Sequence, residues 1–264
     1  MLDKFYEEKK YEIENLYERD KSGKLNPEKN IKRSNCAQSI KKNNVLSIIA
    51  EYKQSSPSKG IIRKNLSVED VVETYENGGA SALSILTEEK WFSGNIDFLD
   101  RAFMKLKNKS IPILRKDFIY DRIQIKATAA TNASAILLIT RCMKDVSNLK
   151  NLLQEADYWG IQCVTEVFDQ YDLEMAREVN ANIIQVNARD LNSLKVDKLA
   201  CLNLIKKNPP KENEVWIAAS GMETAEDLKL AHKSGYNAAL IGTALMRNEN
   251  PGEFLRQLLM KNAY

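Results

Sequence analysis

Short apolar runs alternate along the chain with longer stretches in which apolar residues recur at helical spacing. The runs are continuous, and several are rich in Ile, Leu and Val, which is typical of parallel strands that are buried on both faces. Strands are predicted at residues 45–50, 82–86, 111–114, 135–139, 162–165, 182–186, 215–218 and 238–241. The alternation of strands with helices predicts an α/β fold with a parallel sheet.

The stretches between the runs contain residues that begin and end helices. Ser67 followed by Asp70 is typical of an N-terminal cap, and Gly78 and Gly79 are placed to end the same helix. Eight strand–helix units predict a closed (β/α)8 barrel, the TIM barrel, because eight parallel strands close into a barrel. An open, doubly wound sheet is the competing architecture, since periodicity alone does not separate the two.

Residues 1–44 precede the first predicted strand and have a different pattern. Apolar and aromatic residues share one helical stripe among many charges, and they are Leu2, Phe5, Tyr6, Ile13, Leu16 and Tyr17. Residues 22–30 are polar and predict a loop. We therefore expect a helical N-terminal extension (1–44) that packs on a barrel formed by residues 45–264, with residues 1–264 making a single domain.

The composition excludes several classes of partner. The 264 residues carry a formal charge of +3, and Lys and Arg are spread along the chain, which argues against a nucleic-acid partner. No run approaches the about 18 apolar residues that span a bilayer, which argues against a membrane protein. The four cysteines, Cys36, Cys142, Cys163 and Cys201, lack close pairs and are typical of reduced thiols in a cytoplasmic protein.

Charged side chains follow several predicted strands, at the end where barrel enzymes place their active sites. Two-residue alternation puts Glu51 and Lys53 on the same side after the first strand. Further polar residues follow strands three, five and six, and they are Lys116, Glu166, Asn187 and Arg189. Neighbouring or desolvated lysines can act as general acids near neutral pH. A structural salt bridge is the alternative for each residue alone, but their convergence favours an active site.

The only histidine, His232, lies within a predicted helix and does not suggest a His-based site. Proton transfer must then fall to Lys, Glu or Asp.

Small residues follow the last two predicted strands. Ser220-Gly221 and Gly242-Thr243 would let backbone N–H groups approach an anion, and a phosphate site after strands seven and eight recurs in such barrels. Ser56, in a Ser-Pro-Ser segment, could add a hydroxyl donor, although these residues also favour a plain turn. We expect a phosphorylated small-molecule ligand.

These segments resemble those of the indole-3-glycerol phosphate synthase family. The resemblance begins with the Glu51-x-Lys53-x-x-Ser56 motif and continues through residues 86–94, 112–118, 165–167, 187–191 and 241–247. It covers essentially all of the chain from about residue 45, in the same order, and the N-terminal helix also fits. The resemblance implies a lyase that makes indole-3-glycerol phosphate from 1-(2-carboxyphenylamino)-1-deoxyribulose 5-phosphate in tryptophan biosynthesis, with no cofactor and no metal.

The resemblance also implies roles for the charged residues. Lys116 would protonate the ribulose carbonyl as the ring carbon attacks, and Glu166 would stabilise the positive charge that forms. Lys53 would assist departure of the hydroxyl, with Glu51 as its partner or as a base. Asn187 would bind a sugar hydroxyl and order Glu51. How the two lysines divide the acid roles stays open.

Substrate-binding residues follow from the same resemblance. Arg189 would favour an anionic ligand. The phosphate would be surrounded by Ser56, Ser220, Gly221, Gly242 and Thr243. The anthranilate ring would be walled by Phe92, Phe118 and Leu138, with plain core packing as the alternative for each.

One departure concerns the end of strand seven. The family usually has Glu-Ser-Gly there, whereas this chain has Ala219-Ser220-Gly221. A catalytically weakened or silent phosphate-binding homologue is therefore an alternative. Phosphoribosylanthranilate isomerase is a weaker one, because Glu51-x-Lys53 replaces its expected early cysteine. Association with other tryptophan-pathway enzymes stays open.

Overall fold

Eight parallel strands form a closed barrel in a computed structural model that describes residues 2–25, 27, 31–41, 45–190 and 193–262. Each strand pairs with its neighbours along the chain, and the first strand pairs with the last. The strands are β1 (Ser47–Tyr52), β2 (Ala82–Leu86), β3 (Ile113–Lys116), β4 (Ala135–Ile139), β5 (Gln162–Val167), β6 (Ile183–Asn187), β7 (Val215–Ala219) and β8 (Ala238–Ile241). The closure confirms the TIM barrel and rules out the open sheet.

Strands β1, β3, β5, β6 and β7 run further toward their carboxyl ends than the sequence pattern predicted. The apolar runs stop at polar residues such as Glu51, Lys116 and Glu166, but the ladder continues through all three. Alternate strand residues face the barrel interior, so a polar residue at the mouth does not break the strand. The predicted loop at 22–30 lies partly outside the described residues, as does Leu191 of the 187–191 segment.

The helices surround the barrel and follow the predicted capping signals. In chain order they are α1 (Leu2–Lys21), α2 (Cys36–Ile40), α3 (Val68–Gly78), α4 (Glu89–Phe92), α5 (Phe98–Lys105), α6 (Arg122–Ala129), α7 (Val146–Tyr158), α8 (Gln170–Glu178), α9 (Lys198–Lys207), α10 (Ala225–Lys233), α11 (Thr243–Arg247) and α12 (Pro251–Asn262). Ser67 and Asp70 form a reciprocal capping box on α3, which ends at Gly79 in the left-handed region. A short 3-10 turn (Thr140–Cys142) follows β4. A small antiparallel hairpin, in which Ser55–Ser56 pairs with Gly60–Ile61, follows β1.

Apolar side chains fill two layers. The barrel interior holds Ile49, Leu114, Leu137, Val164 and Ile217. The outward-facing strand residues pack against the ring of helices in separate clusters. Charged side chains converge at the carboxyl ends of the strands, where barrel enzymes place their active sites.

Helix α1 confirms the predicted N-terminal helix, but its buried face differs from the predicted stripe. Phe5 and Leu16 are buried as expected, whereas Tyr6 is 39% exposed. Lys9 is buried between them, and its ammonium pairs with Glu12 of the same helix. Residues 5, 9, 12 and 16 follow helical spacing, so the inward face mixes apolar and charged residues.

Candidate active site

A cavity opens at the carboxyl end of the barrel, among the ends of the strands and the loops that follow them. Every predicted site residue except Leu138 lines this cavity. We call Glu51, Lys53, Lys116 and Glu166 the cavity cluster.

The first pair of the cavity cluster follows β1. Lys53 Nζ lies 2.7 Å from Glu51 Oε1, and Ser84 Oγ donates to Glu51 Oε2 at 3.3 Å. Both side chains face the interior, as alternation predicted, and Tyr52 between them faces the outer layer. A Cβ on Gly242 would overlap the Glu51 carboxylate, so the glycine gives Glu51 its room.

The second pair joins β3 to β5. Lys116 Nζ lies 3.8 Å from Glu166 Oε2, which is an ion pair but beyond hydrogen-bond distance. Glu166 is 1% exposed, and Gln185 Nε2 donates directly to the same oxygen. The Lys116 ammonium can therefore still donate a hydrogen bond to a ligand, while Gln185 holds the Glu166 carboxylate.

Asn187 and Arg189 lie at the end of β6. Asn187 Oδ1 accepts from the Arg189 backbone N–H at 2.9 Å, and the Arg189 guanidinium donates to Leu194 O at 2.9 Å. Burial lowers the pKa of Arg189, and the negative charges of Glu223 and Glu51 oppose that shift. In the structure Asn187 holds the backbone beside it, and Glu51 is held by Lys53 and Ser84.

Small residues form a turn directly after β7, at the rim of the cavity. Ser220 and Gly221 both adopt left-handed φ values, of 65° and 75°. A Cβ on Gly221 would come within 2.8 Å of Val196, so close packing also requires the glycine. The Ser56 hydroxyl is buried at the cavity and has no hydrogen-bond partner among the described residues. Turns of this kind, together with a free hydroxyl, suit an anion.

Aromatic rings form the remaining wall. Phe5 of α1 stacks on Phe118 at a centroid distance of 4.1 Å and an interplanar angle of 17°. Phe92 lies 6.3 Å from Phe118. All three rings line the cavity, so the wall is built from the N-terminal helix and from the loops after β2 and β3.

The assignment of Leu138 to this wall is wrong. Leu138 is fully buried in the layer outside the barrel, in a cluster with Leu149 and Leu152 of α7. Its neighbours Leu137 and Ile139 take the inward-facing positions of β4, and Ile139 lines the cavity. Ile139 pairs in register with Glu166, and this register, which the apolar run does not show, places Ile139 rather than Leu138 on the inward face.

Several cavity residues were not singled out from the sequence. Phe5 was placed on the apolar stripe of α1, but nothing in that stripe showed that the ring reaches the cavity. Gln185 lies two residues before Asn187 on the same face of β6, so alternation could have found it. Glu223 lines the rim where α10 begins.

A second cluster of charges lies just outside the barrel, and we call Lys9, Glu12, Arg115 and Asp117 the α1 network. Asp117 Oδ1 lies 2.7 Å from Lys9 Nζ, and Asp117 Oδ2 lies 2.9 Å from Arg115 Nη2. Burial alone would raise the pKa of Asp117, but the charges of Lys9 and Arg115 hold it well below its usual value. The network fastens α1 beside Lys116 and thereby positions Phe5.

The other sequence-based expectations concern metal, membrane and thiols. The described ranges contain no cluster of three His, Cys, Asp or Glu residues suited to a metal ion. Within the same ranges, no helix combines the length and apolarity needed to cross a membrane. All four cysteines are free thiols, and three of them are buried.

A closed parallel barrel whose mouth combines ammonium and carboxylate groups with tight small-residue turns is the architecture of barrel enzymes that act on phosphorylated ligands. The chain belongs in this class by fold and by site. Among solved structures it is similar to 3-hexulose-6-phosphate synthase from Salmonella typhimurium, with a TM-score of 0.63 over 82% of this chain and 100% of that chain. The identity is 12%, so this likeness concerns the fold alone.

The sequence comparisons narrow the class to one family. The family model described as indole-3-glycerol phosphate synthase matches residues 2–258. The enzyme of that name from Koribacter versatilis (strain Ellin345) is 39% identical over 214 residues, covering 81% of this chain and 80% of the relative. That from Staphylococcus aureus (strain Newman) is 38% identical over 250 residues, covering 94% and 93%. The chain belongs to the indole-3-glycerol phosphate synthase family, which confirms the resemblance drawn from the motifs.

Proposed function

We propose that the cavity closes the indole ring of 1-(2-carboxyphenylamino)-1-deoxyribulose 5-phosphate. A ring carbon attacks the ribulose carbonyl carbon, and the carbonyl oxygen takes a proton. The carboxylate leaves as carbon dioxide, its bonding electrons restore the aromatic ring, and loss of water gives indole-3-glycerol phosphate. One observation supports this function above the others: two lysines and two glutamates meet in one cavity that also has an aromatic wall.

Lys116 is the acid for ring closure in this proposal, and Glu166 stabilises the cation. Attack by the ring carbon places positive charge on the aromatic ring, next to the nitrogen. A buried carboxylate stabilises such a charge strongly, because the surroundings screen it little. The 3.8 Å separation between Lys116 Nζ and Glu166 Oε2 leaves the ammonium able to donate to the carbonyl oxygen.

Lys53 and Glu51 serve the dehydration in the same proposal. Their direct contact of 2.7 Å lets the ammonium assist the departing hydroxyl while the carboxylate takes up the final proton. Asn187 is the proposed partner of a sugar hydroxyl.

Binding is divided between the two sides of the cavity. The phosphate lies against Ser56, Ser220, Gly221, Gly242 and Thr243, with Arg189 favouring the anion. The anthranilate ring lies against Phe92 and Phe118, and we add Phe5, which stacks on Phe118. An aromatic substrate between such rings gains both buried area and ring–ring contact.

The decisive experiment is a direct assay. Purified protein is incubated with the carboxyphenylamino-deoxyribulose phosphate, while indole fluorescence and released carbon dioxide are recorded. Equal amounts of indole product and carbon dioxide are expected. Binding of the substrate without turnover would instead support the silent homologue that Ala219 raised as an alternative.

Three further expectations, on domain organisation, location and partners, are also proposals. We propose that residues 1–264 fold as one domain and that the protein works in the cytoplasm, which its free thiols support. Association with other tryptophan-pathway enzymes is tested by co-purification of the tagged protein at native expression level.

A further inference from the structure

Gln185 occupies an unusual place in the barrel. It lies on β6, is fully buried, and lines the cavity beneath Glu166. Its Nε2 donates to Glu166 Oε2, while its Oε1 is buried with no hydrogen-bond partner among the described residues. A buried amide oxygen without a partner costs about 1–3 kcal/mol. The hydrogen bond that Nε2 donates therefore explains the presence of Gln185 better than packing does.

The Nε2 end of Gln185 contacts the carboxylate of Glu166, which has few other hydrogen-bond donors nearby in the described part of the chain. Glu166 is almost completely buried, and its cationic neighbour Lys116 lies at 3.8 Å, too far for a hydrogen bond. A buried charge needs direct hydrogen bonds to stay charged. The NH2 group of Gln185 supplies one, and it holds no ionisable proton that it could pass on.

The orientation of the amide follows from this chemistry. An ionised carboxylate only accepts hydrogen bonds, so the NH2 group must face Glu166 and Oε1 must face away. The unpaired Oε1 is therefore a consequence of the hydrogen bond that Nε2 donates to Glu166. An apolar side chain of similar length would remove the unpaired oxygen but would also remove the donor.

We propose that Gln185 is a positioning residue for ring closure, which keeps the Glu166 carboxylate charged and fixed beside Lys116. This inference rests on the proposed function. It assigns Gln185 a role that acts through Glu166, without contact to the reacting atoms.

The test replaces Gln185 by Met, which has similar length and no donor, and measures the pH dependence of kcat and KM. We expect kcat to fall about 10- to 100-fold, the range for a hydrogen bond to a charged group. Loss of the donor leaves the negative charge of the carboxylate less stabilised, so the acidic limb should move to higher pH. The loss should therefore be largest at low pH, with KM changed little.

Two further variants separate positioning from structure. Gln162→Met makes the same exchange at the opposite end of the barrel, where Gln162 accepts from the backbone N–H groups of Cys36 and Ala37. It should lower the unfolding midpoint without moving the acidic limb. Gln185→Glu keeps the shape but places a second carboxyl group against Glu166, so the acidic limb should move further than with Met.

The outcomes are distinct. An acidic limb that stays in place in both Gln185 variants, or a loss of kcat that is uniform with pH, overturns the positioning role. If Gln185→Met does not fold, Gln185→Glu decides alone by the same criterion. Absence of turnover in the unmodified protein overturns the proposed function and this inference with it, whereas an active protein with unchanged variants overturns only the inference.

Discussion

The α1 network and the cavity cluster lie on opposite sides of the same strand end, and they use charge differently. Arg115 and Lys116 are consecutive residues of β3, so one faces the outer layer and the other faces the cavity. In the α1 network, Asp117 is contacted directly by both Lys9 and Arg115. In the cavity cluster, Lys53 contacts Glu51 directly at 2.7 Å, but Lys116 and Glu166 stay 3.8 Å apart.

The contrast separates charges that stabilise the fold from charges that remain available for chemistry. Buried ions that are saturated by direct partners cannot change protonation state or partner without loss of folding energy. Ions that lack a direct partner, or that have partners on one side only, can still bind a ligand. We therefore assign the α1 network to folding and to the placement of Phe5, and we propose the cavity cluster for the reaction. Variants on either side can test that division.

The largest effect is expected for Lys116→Met. Loss of the proposed acid for ring closure should lower turnover by about 10²- to 10⁴-fold. Phosphate-dependent binding should remain largely intact, because the turns proposed to bind the phosphate follow β7 and β8 and are not part of β3. Stopped-flow fluorescence with substrate and equilibrium binding of inorganic phosphate measure the two quantities. Unchanged turnover would refute the assigned acid.

Lys9→Met should instead act on stability. Removing one partner of a buried ion pair destabilises by about 3–5 kcal/mol, because the other charge stays buried. Denaturant unfolding measures the change. Lys10→Met is the matched control, since Lys10 is the next residue of α1 and pairs with Glu7 at the surface. The control should leave the unfolding midpoint unchanged, and equal effects of the two variants would contradict a structural role for the α1 network.

Lys9→Met should also change how the free energy of unfolding depends on pH. Because the pKa of Asp117 is depressed, its stabilisation is fully present above about pH 4 and is lost as the pH falls below that value. Lys9→Met removes one of the two charges that depress this pKa, so less stability remains to be lost between about pH 4 and pH 2. A free energy of unfolding that falls as steeply in the variant as in the unmodified protein would oppose this account.

Lys53→Gln should have a smaller effect that is confined to the second half of the reaction. The dehydration should slow by about 10- to 100-fold, within the range of general acid catalysis, while ring closure slows less. Rapid quenching should then reveal a decarboxylated intermediate that still holds the hydroxyl. If no intermediate accumulates and ring closure itself slows, the roles of Lys53 and Lys116 must be exchanged.

The fold was predictable because it depends on patterns that are local in sequence. Eight apolar runs, the cap at Ser67 and the stop at Gly79 are each visible within a few residues. The charged residues of the mouth were predictable for a related reason, since parallel strands bring all their carboxyl ends to one rim.

The errors and omissions have a common physical origin. Leu138 was misplaced because one step along a strand reverses the face, and an apolar run does not show which residues point inward. Phe5 and Lys9 were missed because their partners, Phe118 and Asp117, are more than one hundred residues away in sequence. Contacts of that range depend on how α1 docks, which no local pattern encodes.

The smallest effect is expected for Ala219→Glu, which tests whether the cavity cluster is complete as it stands. Ala219 lines the cavity and pairs in register with Asn187, so a carboxylate there would lie near the cavity cluster. A new negative charge favours the protonated forms of its neighbours, so both limbs of the pH profile should move to higher pH, while kcat changes less than about tenfold. Ala219→Gln is the control of equal size without charge, and it should leave both limbs in place. If the unmodified protein showed no turnover and Ala219→Glu restored it, the lysines and glutamates already present would be insufficient, and the loosely held pair would be an incomplete site.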